Sequence, residues 1–158
     1  MAPNDEPARI IVVDDDEGIR RTLSTILEDE GYVVDAVESG REAIESCEKR
    51  VYNLALIDVR LLDMEGTELL TRIKERVPRT RKIIITGYPT VQNAIEAVNK
   101  NADAYLLKPF DMAKVLFVIK DQLRKQKEES RFNQERVTAF IETTVREFET
   151  KSVGNNSK

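Results

Sequence analysis

The chain has 158 residues, of which 41% are hydrophobic and 34% charged, with a net charge of -4, one cysteine and no histidine. This length allows one domain with its own core plus an appendage. The acidic balance argues against general binding of nucleic acid. Residues 1–9 lack the apolar region of a signal peptide, no run in the sequence approaches membrane-spanning length, and the lone Cys47 cannot form an internal disulfide, so we expect a cytoplasmic protein.

Short apolar runs alternate with segments of helical periodicity along the first 110 residues. The apolar runs predict five strands, and three of them are apolar at consecutive positions, as in strands buried on both faces of a parallel sheet. The predicted strands are residues 9–14, 32–37, 53–58, 82–86 and 104–107.

Helical segments are predicted between these strands and after the last one. The first has Ile19, Leu23 and Leu27 on one face, with Gly31 as its C-terminal cap. The next three are predicted over residues 39–50, 66–77 and 90–101, and a fifth begins after Pro109. This alternation predicts right-handed βαβ units and an α/β, doubly wound parallel sheet.

The character of the chain changes after residue 111. Residues 120–136 are nearly all polar, and a new apolar stripe follows at helical spacing, formed by Val137, Phe140, Ile141, Thr144, Val145 and Phe148. We therefore expect a disordered N-terminus over 1–7, a domain over 8–125, a helical extension over 126–150 and a disordered tail over 151–158. The stripe is open to three interpretations: pairing in a homodimer through residues 130–150, folding back on the domain, or belonging to a longer signalling helix of a larger regulator.

Polar side chains stand where the predicted strands end. Strand 1 ends in Asp14, Asp15 and Asp16, strand 3 in Asp58, strand 4 in Thr86 and strand 5 in Lys108. Open α/β sheets bind ligands outside the carboxyl ends of their strands. In a flavodoxin-like sheet with the strand order 2-1-3-4-5, these side chains would converge on one edge.

The residue types at this edge suit phosphoryl chemistry. Aspartate oxygens without histidine or cysteine favour a hard cation, Mg²⁺ above all. A carboxylate beside such an ion can act as a nucleophile and form an aspartyl phosphate. A lysine and a hydroxyl would stabilise charge on the phosphoryl oxygens. Taken singly, each residue has a plainer interpretation: an aspartate as a helix cap, the lysine as a surface charge, the threonine as an ordinary strand residue.

The motifs VVDDDE, LALIDVRLLDMEG, IIITGY and AYLLKPF, in this order over residues 8 to about 125, resemble the response-regulator receiver domain, the CheY-like module of two-component signalling. The resemblance implies a flavodoxin-like (βα)5 fold with a C-terminal helical extension, and it implies that Asp58 is the phosphoacceptor. It also implies that Mg²⁺ is held by Asp14, Asp15, Asp58 and the backbone carbonyl of Arg60.

Further roles follow from the same resemblance. Thr86 and Lys108 would contact the phosphoryl group, Thr86 and Tyr105 would form the switch, and the Lys108–Pro109 peptide bond would be cis. Asp16 is expected only to cap helix 1. In two places the chain departs from the pattern of the family. Leu62 replaces a frequent proline, and bulky Arg60 and Tyr88 are expected to flank the path of an attacking water.

The function that this resemblance implies is a phosphorelay response regulator whose donor is a sensor histidine kinase. Phosphorylation would switch the face of helix 4, strand 5 and helix 5, which is a second candidate surface for a homodimer. No enzymatic activity beyond self-phosphorylation and autodephosphorylation is expected, nor binding to nucleic acid or membrane. One alternative is a haloacid-dehalogenase-type Mg²⁺-dependent phosphatase, for which Asp14 and Asp16 supply D-x-D but Gly18 replaces the expected Thr or Val. A scaffold with a degenerate site is disfavoured because every expected polar group is present.

Overall fold

The computed structural model describes residues 6–109 and 111–156, with side chains through residue 151. Five parallel strands form one sheet in the order β2-β1-β3-β4-β5. Both the strand order and the positions of the strands confirm the predicted α/β fold. The strands are β1 (Arg9–Val13), β2 (Val33–Val37), β3 (Leu54–Asp58), β4 (Arg81–Thr86) and β5 (Ala104–Leu107).

Helices follow each strand in turn. They are α1 (Glu17–Asp29), α2 (Gly40–Lys49), α3 (Gly66–Arg72), α4 (Val91–Asn99) and α5 (Met112–Asn156). Asp16 caps α1 as predicted, since its carboxylate accepts the backbone N–H of Ile19 at 3.0 Å. Gly31 follows that helix with a φ of +95°, a left-handed conformation that a side chain would strain.

Helix α3 is shorter than the sequence predicts, because it ends at Arg72 rather than at residue 77. Ile73 adopts an extended backbone and is buried in the core. Arg76 then donates hydrogen bonds to the carbonyl oxygens of Cys47 and Glu48, both at 3.2 Å, near the end of α2. These contacts stabilise the extended path in place of further helical turns.

Two apolar cores lie on the two faces of the sheet, because successive strand residues point to opposite sides. Ile11 of β1 packs in the same cluster as Ala43 of α2 and Leu70 of α3. Its neighbour Ile10 packs in a second cluster, with Leu23 of α1 and residues of α5. This arrangement fixes the strands in register and holds their carboxyl ends, where the predicted polar residues stand, on one rigid edge.

Helix α5 begins in one compact unit and continues into another. The first unit ends at Gln126, and the second begins at Lys127. The helix runs to Asn156, beyond the predicted end of the extension at residue 150. Residues 1–5 and 157–158 of the predicted disordered ends lie outside the described residues, as does Phe110 of the AYLLKPF motif. Within the described part of the chain, none of the helices combines the length and the apolar character needed to cross a bilayer.

Candidate functional site

The carboxyl end of β1 carries the first two acidic residues of the site. Asp14 is buried, and its carboxylate accepts the backbone N–H of Asp16 and the ammonium group of Lys108, each at 2.9 Å. Asp15, the next residue, is exposed. One carboxylate is therefore enclosed in the protein and its neighbour faces solvent, where it can approach an ion.

Asp58, the last residue of β3, is also buried. Burial in the first place, and then the negative charge of Asp14, raise the pKa of Asp58 to about 6. Lys108, at 3.5 Å from its Oδ2 atom, and the backbone amide of Arg60 act in the opposite direction and lower this pKa. The raised pKa means that the protein supplies too little positive charge for a carboxylate in this position.

Carboxylate oxygens of Asp14, Asp15 and Asp58 lie within 4.8 Å of one another. A hard divalent cation takes oxygen ligands of this kind, and Mg²⁺ is bound through one or two carboxylates while keeping several waters. Such an ion would supply the positive charge that the protein does not provide at Asp58. The cluster therefore fits a divalent cation in both its donor atoms and its charge.

Lys108 stands opposite these carboxylates at the end of β5. Burial alone would lower the pKa of its ammonium group, but hydrogen bonding and charge from Asp14 and Asp58 hold that pKa above its ordinary value. The Lys108–Pro109 peptide bond is cis, which is the geometry that the resemblance implies. Lys108 thus remains a fixed cation that is shared by the two buried aspartates.

Thr86 ends β4 and is buried, beside the other strand ends. Its hydroxyl oxygen accepts the backbone N–H of Tyr88 at 2.9 Å, and its carbonyl accepts the backbone N–H of Lys108 at 2.8 Å. Tyr105 on β5 packs against the core cluster that contains Ile84. The hydroxyl oxygen of Tyr105 is buried and makes no hydrogen bond with any described residue. Its ring therefore already lies inward in this structure.

The loop after β3 is held by contacts that the sequence did not reveal. The amide of Gly66 donates to the carbonyl of Val59 at 2.6 Å, and a Cβ atom at Gly66 would collide with the carbonyl oxygen of Asp58. Asp63 accepts the backbone N–H groups of Gly40 and Arg41, each at 3.0 Å, in the first turn of α2. Those donors are 22 and 23 residues away in the chain, so no local pattern signals their pairing with Asp63.

Arg60 and Tyr88 meet across the two loops that follow Asp58 and Thr86. The guanidinium carbon of Arg60 lies 4.6 Å from the centre of the Tyr88 ring, a cation–π contact. The sequence predicts that both side chains flank the site. Their direct pairing was not predicted, because the two residues belong to different loops.

Comparison with known proteins assigns this fold and site to a family. The family model of the response regulator receiver domain matches residues 10–120. The transcriptional regulatory protein ZraR of Escherichia coli O157:H7 is 41% identical over 102 residues, which are 65% of this chain and 23% of that protein. The chain spans about a quarter of the length of the first curated relatives that it matches.

Solved structures of receiver domains are also similar to this chain. A CheY-like receiver domain protein from Methanospirillum hungatei JF-1 is 41% identical, with a TM-score of 0.75, and the match covers 78% of this chain and 99% of that one. The beryllofluoride-activated NtrC4 receiver domain dimer is 36% identical, with a TM-score of 0.70 and coverage of 75% and 98%.

These similarities also bear on the alternatives. They give no support to a haloacid-dehalogenase-type phosphatase. They do not support the expectation that the chain lacks contact with nucleic acid either, since relatives such as ZraR are named as transcriptional regulators. With its sheet order, its acidic edge and the match over residues 10–120, the chain belongs to the response regulator receiver domain family.

Proposed function

We propose that this chain receives a phosphoryl group on Asp58 from the phosphohistidine of a sensor histidine kinase, in a Mg²⁺-dependent reaction. The observation that carries this proposal is the buried Asp58 carboxylate, which lies beside two further carboxylates and 3.5 Å from the ammonium group of Lys108. A cytoplasmic location is part of the proposal. The single cysteine, free and buried, is in keeping with that reducing compartment.

Asp14, Asp15, Asp58 and the backbone carbonyl of Arg60 are the proposed ligands of Mg²⁺. The all-oxygen donor set and the raised pKa of Asp58, caused by burial and by Asp14, support a divalent cation at this position. When bound, the ion supplies positive charge that neutralises the carboxylates and polarises the phosphoryl oxygens.

The transfer itself exchanges one bond to phosphorus for another. An Asp58 oxygen forms a bond to phosphorus while the bond between phosphorus and the histidine ring nitrogen of the donor breaks, and that nitrogen keeps the electron pair. Lys108 is held in place by its 2.9 Å hydrogen bond to Asp14 and offers its ammonium group to the phosphoryl oxygens. The chemistry proposed for this chain is confined to gain and loss of the phosphoryl group.

Switching is proposed to start at Thr86. Its hydroxyl oxygen accepts the Tyr88 amide, so its own O–H remains available to donate to a phosphoryl oxygen. Movement of Thr86 toward that oxygen would change the packing of Tyr105 on the adjacent strand. The surface that would respond is the face of α4, β5 and α5, where large apolar side chains are exposed: Val91, Ile95, Val98, Leu107 and Phe117.

The test is stoichiometric labelling by acetyl phosphate, or by a phosphorylated sensor kinase, in the presence of Mg²⁺. The wild-type chain should be labelled and Asp58→Asn should not, because an amide is not a nucleophile. The matched control is Asp16→Asn, which keeps a good helix cap two residues from Asp14 and should be labelled like the wild type. Full labelling of Asp58→Asn would refute the assignment of the phosphoacceptor.

The metal assignment has its own test. Asp15→Ala should weaken Mg²⁺ binding in a titration, and it should leave the fold intact because the Asp15 side chain is exposed. Unchanged affinity in this variant would remove Asp15 from the proposed ligands while leaving the role of Asp58 in place.

A further inference from the structure

Two arginines stand side by side near the start of α1, and their surroundings differ. Arg20 is partly buried, with 18% of its side chain exposed, and its guanidinium donates to the backbone carbonyl of Asp14 at 2.7 Å. The side chain of Arg21 is 76% exposed and pairs with Glu17 at 2.9 Å on the surface of the helix. Of the two arginines, only Arg20 therefore contacts the acidic edge of the sheet.

The contact of Arg20 falls on the peptide unit that joins the first two proposed metal ligands. A peptide unit is planar, so the carbonyl oxygen of Asp14 lies in one rigid plane with the Cα atom of Asp15. The backbone N–H of Asp14 donates to the carbonyl of Val37 at 3.2 Å, and Arg20 holds the carbonyl of the same residue. Both polar groups of the Asp14 backbone are thus fixed, and the point from which the Asp15 side chain projects is fixed with them.

Asp15 depends on this backbone because its side chain has no other support. Its carboxylate is exposed and makes no hydrogen bond or ion pair with any described residue. One of its oxygens nevertheless lies within 4.8 Å of oxygens of Asp14 and Asp58. Those two carboxylates, in contrast, are buried and are held by Lys108. The position of the Asp15 carboxylate relative to them is therefore set by its main chain.

The anchorage of Arg20 suits it to hold that main chain. Its own backbone N–H donates to the carbonyl of Asp16 at 3.0 Å, at the start of a helix whose Leu23 is buried in the core. A second nitrogen of its guanidinium lies 4.0 Å from a carboxylate oxygen of Glu38, which is largely exposed. An exposed ion pair of this length contributes little, so the hydrogen bond to Asp14 is the stronger of the two contacts.

We propose that Arg20 is a positioning residue for Mg²⁺, which orients the carboxylate of Asp15 toward the ion through the carbonyl of Asp14. This inference rests on the proposed function, because it takes Asp15 as a ligand of Mg²⁺. Groups that hold a metal ligand in place commonly account for about 10- to 100-fold in metal affinity.

The charge of Arg20 acts in the opposite direction to its hydrogen bond. A guanidinium close to the acidic edge repels a second cation, so on charge alone its removal would strengthen Mg²⁺ binding. Loss of the hydrogen bond frees the main chain of Asp15 and weakens Mg²⁺ binding. Salt at about 0.15 M screens the repulsion, so we expect the loss of positioning to prevail. The sign of the change in affinity therefore distinguishes a positioning residue from one that only neutralises the carboxylates.

A Mg²⁺ titration of the full chain, followed by its amide NMR signals at about 0.15 M salt, is the first test. Arg20→Met keeps an apolar stem and should raise the Mg²⁺ dissociation constant about tenfold. Arg20→Lys keeps the charge and a hydrogen-bond donor, so it should restore part of the lost affinity. The matched control Arg21→Met removes the neighbouring, exposed arginine and should leave the dissociation constant unchanged.

An affinity of Arg20→Met equal to or above that of the wild type would overturn the proposal. The same NMR spectra report whether each variant is folded. If Arg20→Met does not fold, Arg20→Gln, which also removes the charge and is too short for the same contact, carries the test with the same expected loss.

A double-mutant cycle shows whether Arg20 acts through Asp15. In the Asp15→Ala background, Arg20→Met should change the dissociation constant by less than about twofold, because the side chain that Arg20 positions is gone. A further tenfold loss in that background would show that Arg20 acts elsewhere in the site, and the proposal would be wrong.

Failure of this inference and failure of the proposed function give different results. If Asp15→Ala alone leaves the Mg²⁺ affinity unchanged, the assignment of Asp15 as a ligand fails, and the positioning role fails with it. If Asp15→Ala weakens binding and Arg20→Met does not, only the positioning role fails. At saturating Mg²⁺, Arg20→Met should be labelled by acetyl phosphate at the wild-type rate, since Asp58 and Lys108 are unchanged. A rate that stays low at saturating Mg²⁺ would refute a role confined to the metal.

Discussion

Asp58 and Asp103 are buried to the same extent at opposite ends of the sheet. The exposed fraction of each side chain is 10%. Asp58 is the last residue of β3, whereas Asp103 immediately precedes β5. The protein nevertheless raises the pKa of Asp58 and lowers that of Asp103, so burial alone does not decide the charge state of a carboxylate.

The difference lies in the donors that surround each carboxylate. Asp103 accepts hydrogen bonds from the guanidinium of Arg79 at 2.6 and 2.9 Å, from Arg81 at 3.3 Å and from the backbone amide of Lys82 at 2.8 Å. Burial by itself would raise the pKa of Asp103, but these donors hold it below the ordinary value. A carboxylate with this many hydrogen-bond donors stabilises the fold and is not free to bind another partner.

At Asp58 the balance is reversed. The nearby ammonium group of Lys108 is shared, and it lies closer to Asp14, at 2.9 Å, than to Asp58, at 3.5 Å. A carboxylate that is left with this shortfall is reactive toward an incoming cation or electrophile. The comparison therefore separates a structural aspartate from the proposed phosphoacceptor without reference to sequence similarity.

The largest expected change in stability is at Asp103, the carboxylate that is surrounded by hydrogen-bond donors. Asp103→Asn should lower the free energy of unfolding by about 3 kcal/mol, since it removes the negative charge that pairs with the largely buried Arg81 and the partly exposed Arg79. Urea unfolding measures this change. Asp58→Asn is the matched substitution at the other end. In the presence of a chelator it should raise the unfolding free energy by about 1 kcal/mol, because it relieves repulsion with Asp14. Equal losses in both variants would contradict the distinction between the two sites.

The pH dependence of stability should show the same contrast. The pKa of Asp103 is held below its ordinary value of 3.8, so the folded state binds its proton less readily than the unfolded state does. Its contribution is fully present above that ordinary value and is lost as pH falls through the lower, folded-state pKa. Between about pH 5 and pH 2, the unfolding free energy of the wild type should therefore fall more than that of Asp103→Asn. Parallel curves for the two proteins would show that Asp103 does not gain from its partners.

Much of the functional edge could be predicted because its residues follow strands. Asp14, Asp58, Thr86 and Lys108 each stand at the end of an apolar run, and parallel strands bring such ends together. The contacts of Asp103 have no such signal in the sequence. Arg79 and Asp103 are 24 residues apart, and the local sequence around either residue does not predict that the two form a pair.

Long-range contacts also explain the errors and omissions of the sequence analysis. Residues 66–77 have helical periodicity, yet α3 ends at Arg72 because the chain gains contacts with α2 through Arg76. The role of Asp63 as an acceptor for the first turn of α2 depends on where the loop folds, and so does the stacking of Arg60 on Tyr88. Periodicity reports on burial within one element and carries no information on contacts between loops.

A smaller effect is expected from the arginine at the functional edge. Arg60 lies over the Tyr88 ring, and in the described part of the chain it makes no ion pair with Asp58, in contrast to Arg79 with Asp103. If the stacked pair limits the access of water to the aspartyl phosphate, Tyr88→Ala should speed loss of the label by about two- to fivefold, the equivalent of about 0.5–1 kcal/mol. Tyr88→Phe keeps the ring and should retain the wild-type lifetime. An unchanged lifetime in Tyr88→Ala would show that the pair does not limit the access of water.

The same comparison can be made for two uncharged groups, and the smallest effect of all is expected at Tyr105. Tyr52 donates its hydroxyl to Asp35 at 2.6 Å, whereas the buried hydroxyl oxygen of Tyr105 has no hydrogen-bond partner among the described residues. Tyr52→Phe should lower the unfolding free energy by about 1.5 kcal/mol, since it deletes a bond to a charged acceptor. Tyr105→Phe deletes only a desolvated oxygen, so the unfolding free energy should change by no more than about 0.5 kcal/mol or should rise slightly. Urea unfolding of both variants tests this, and a loss at Tyr105 equal to that at Tyr52 would mean that its hydroxyl is satisfied in solution. Without a hydrogen bond, the hydroxyl of Tyr105 does not fix its side chain in one rotamer, which is in keeping with the switching role proposed for this residue.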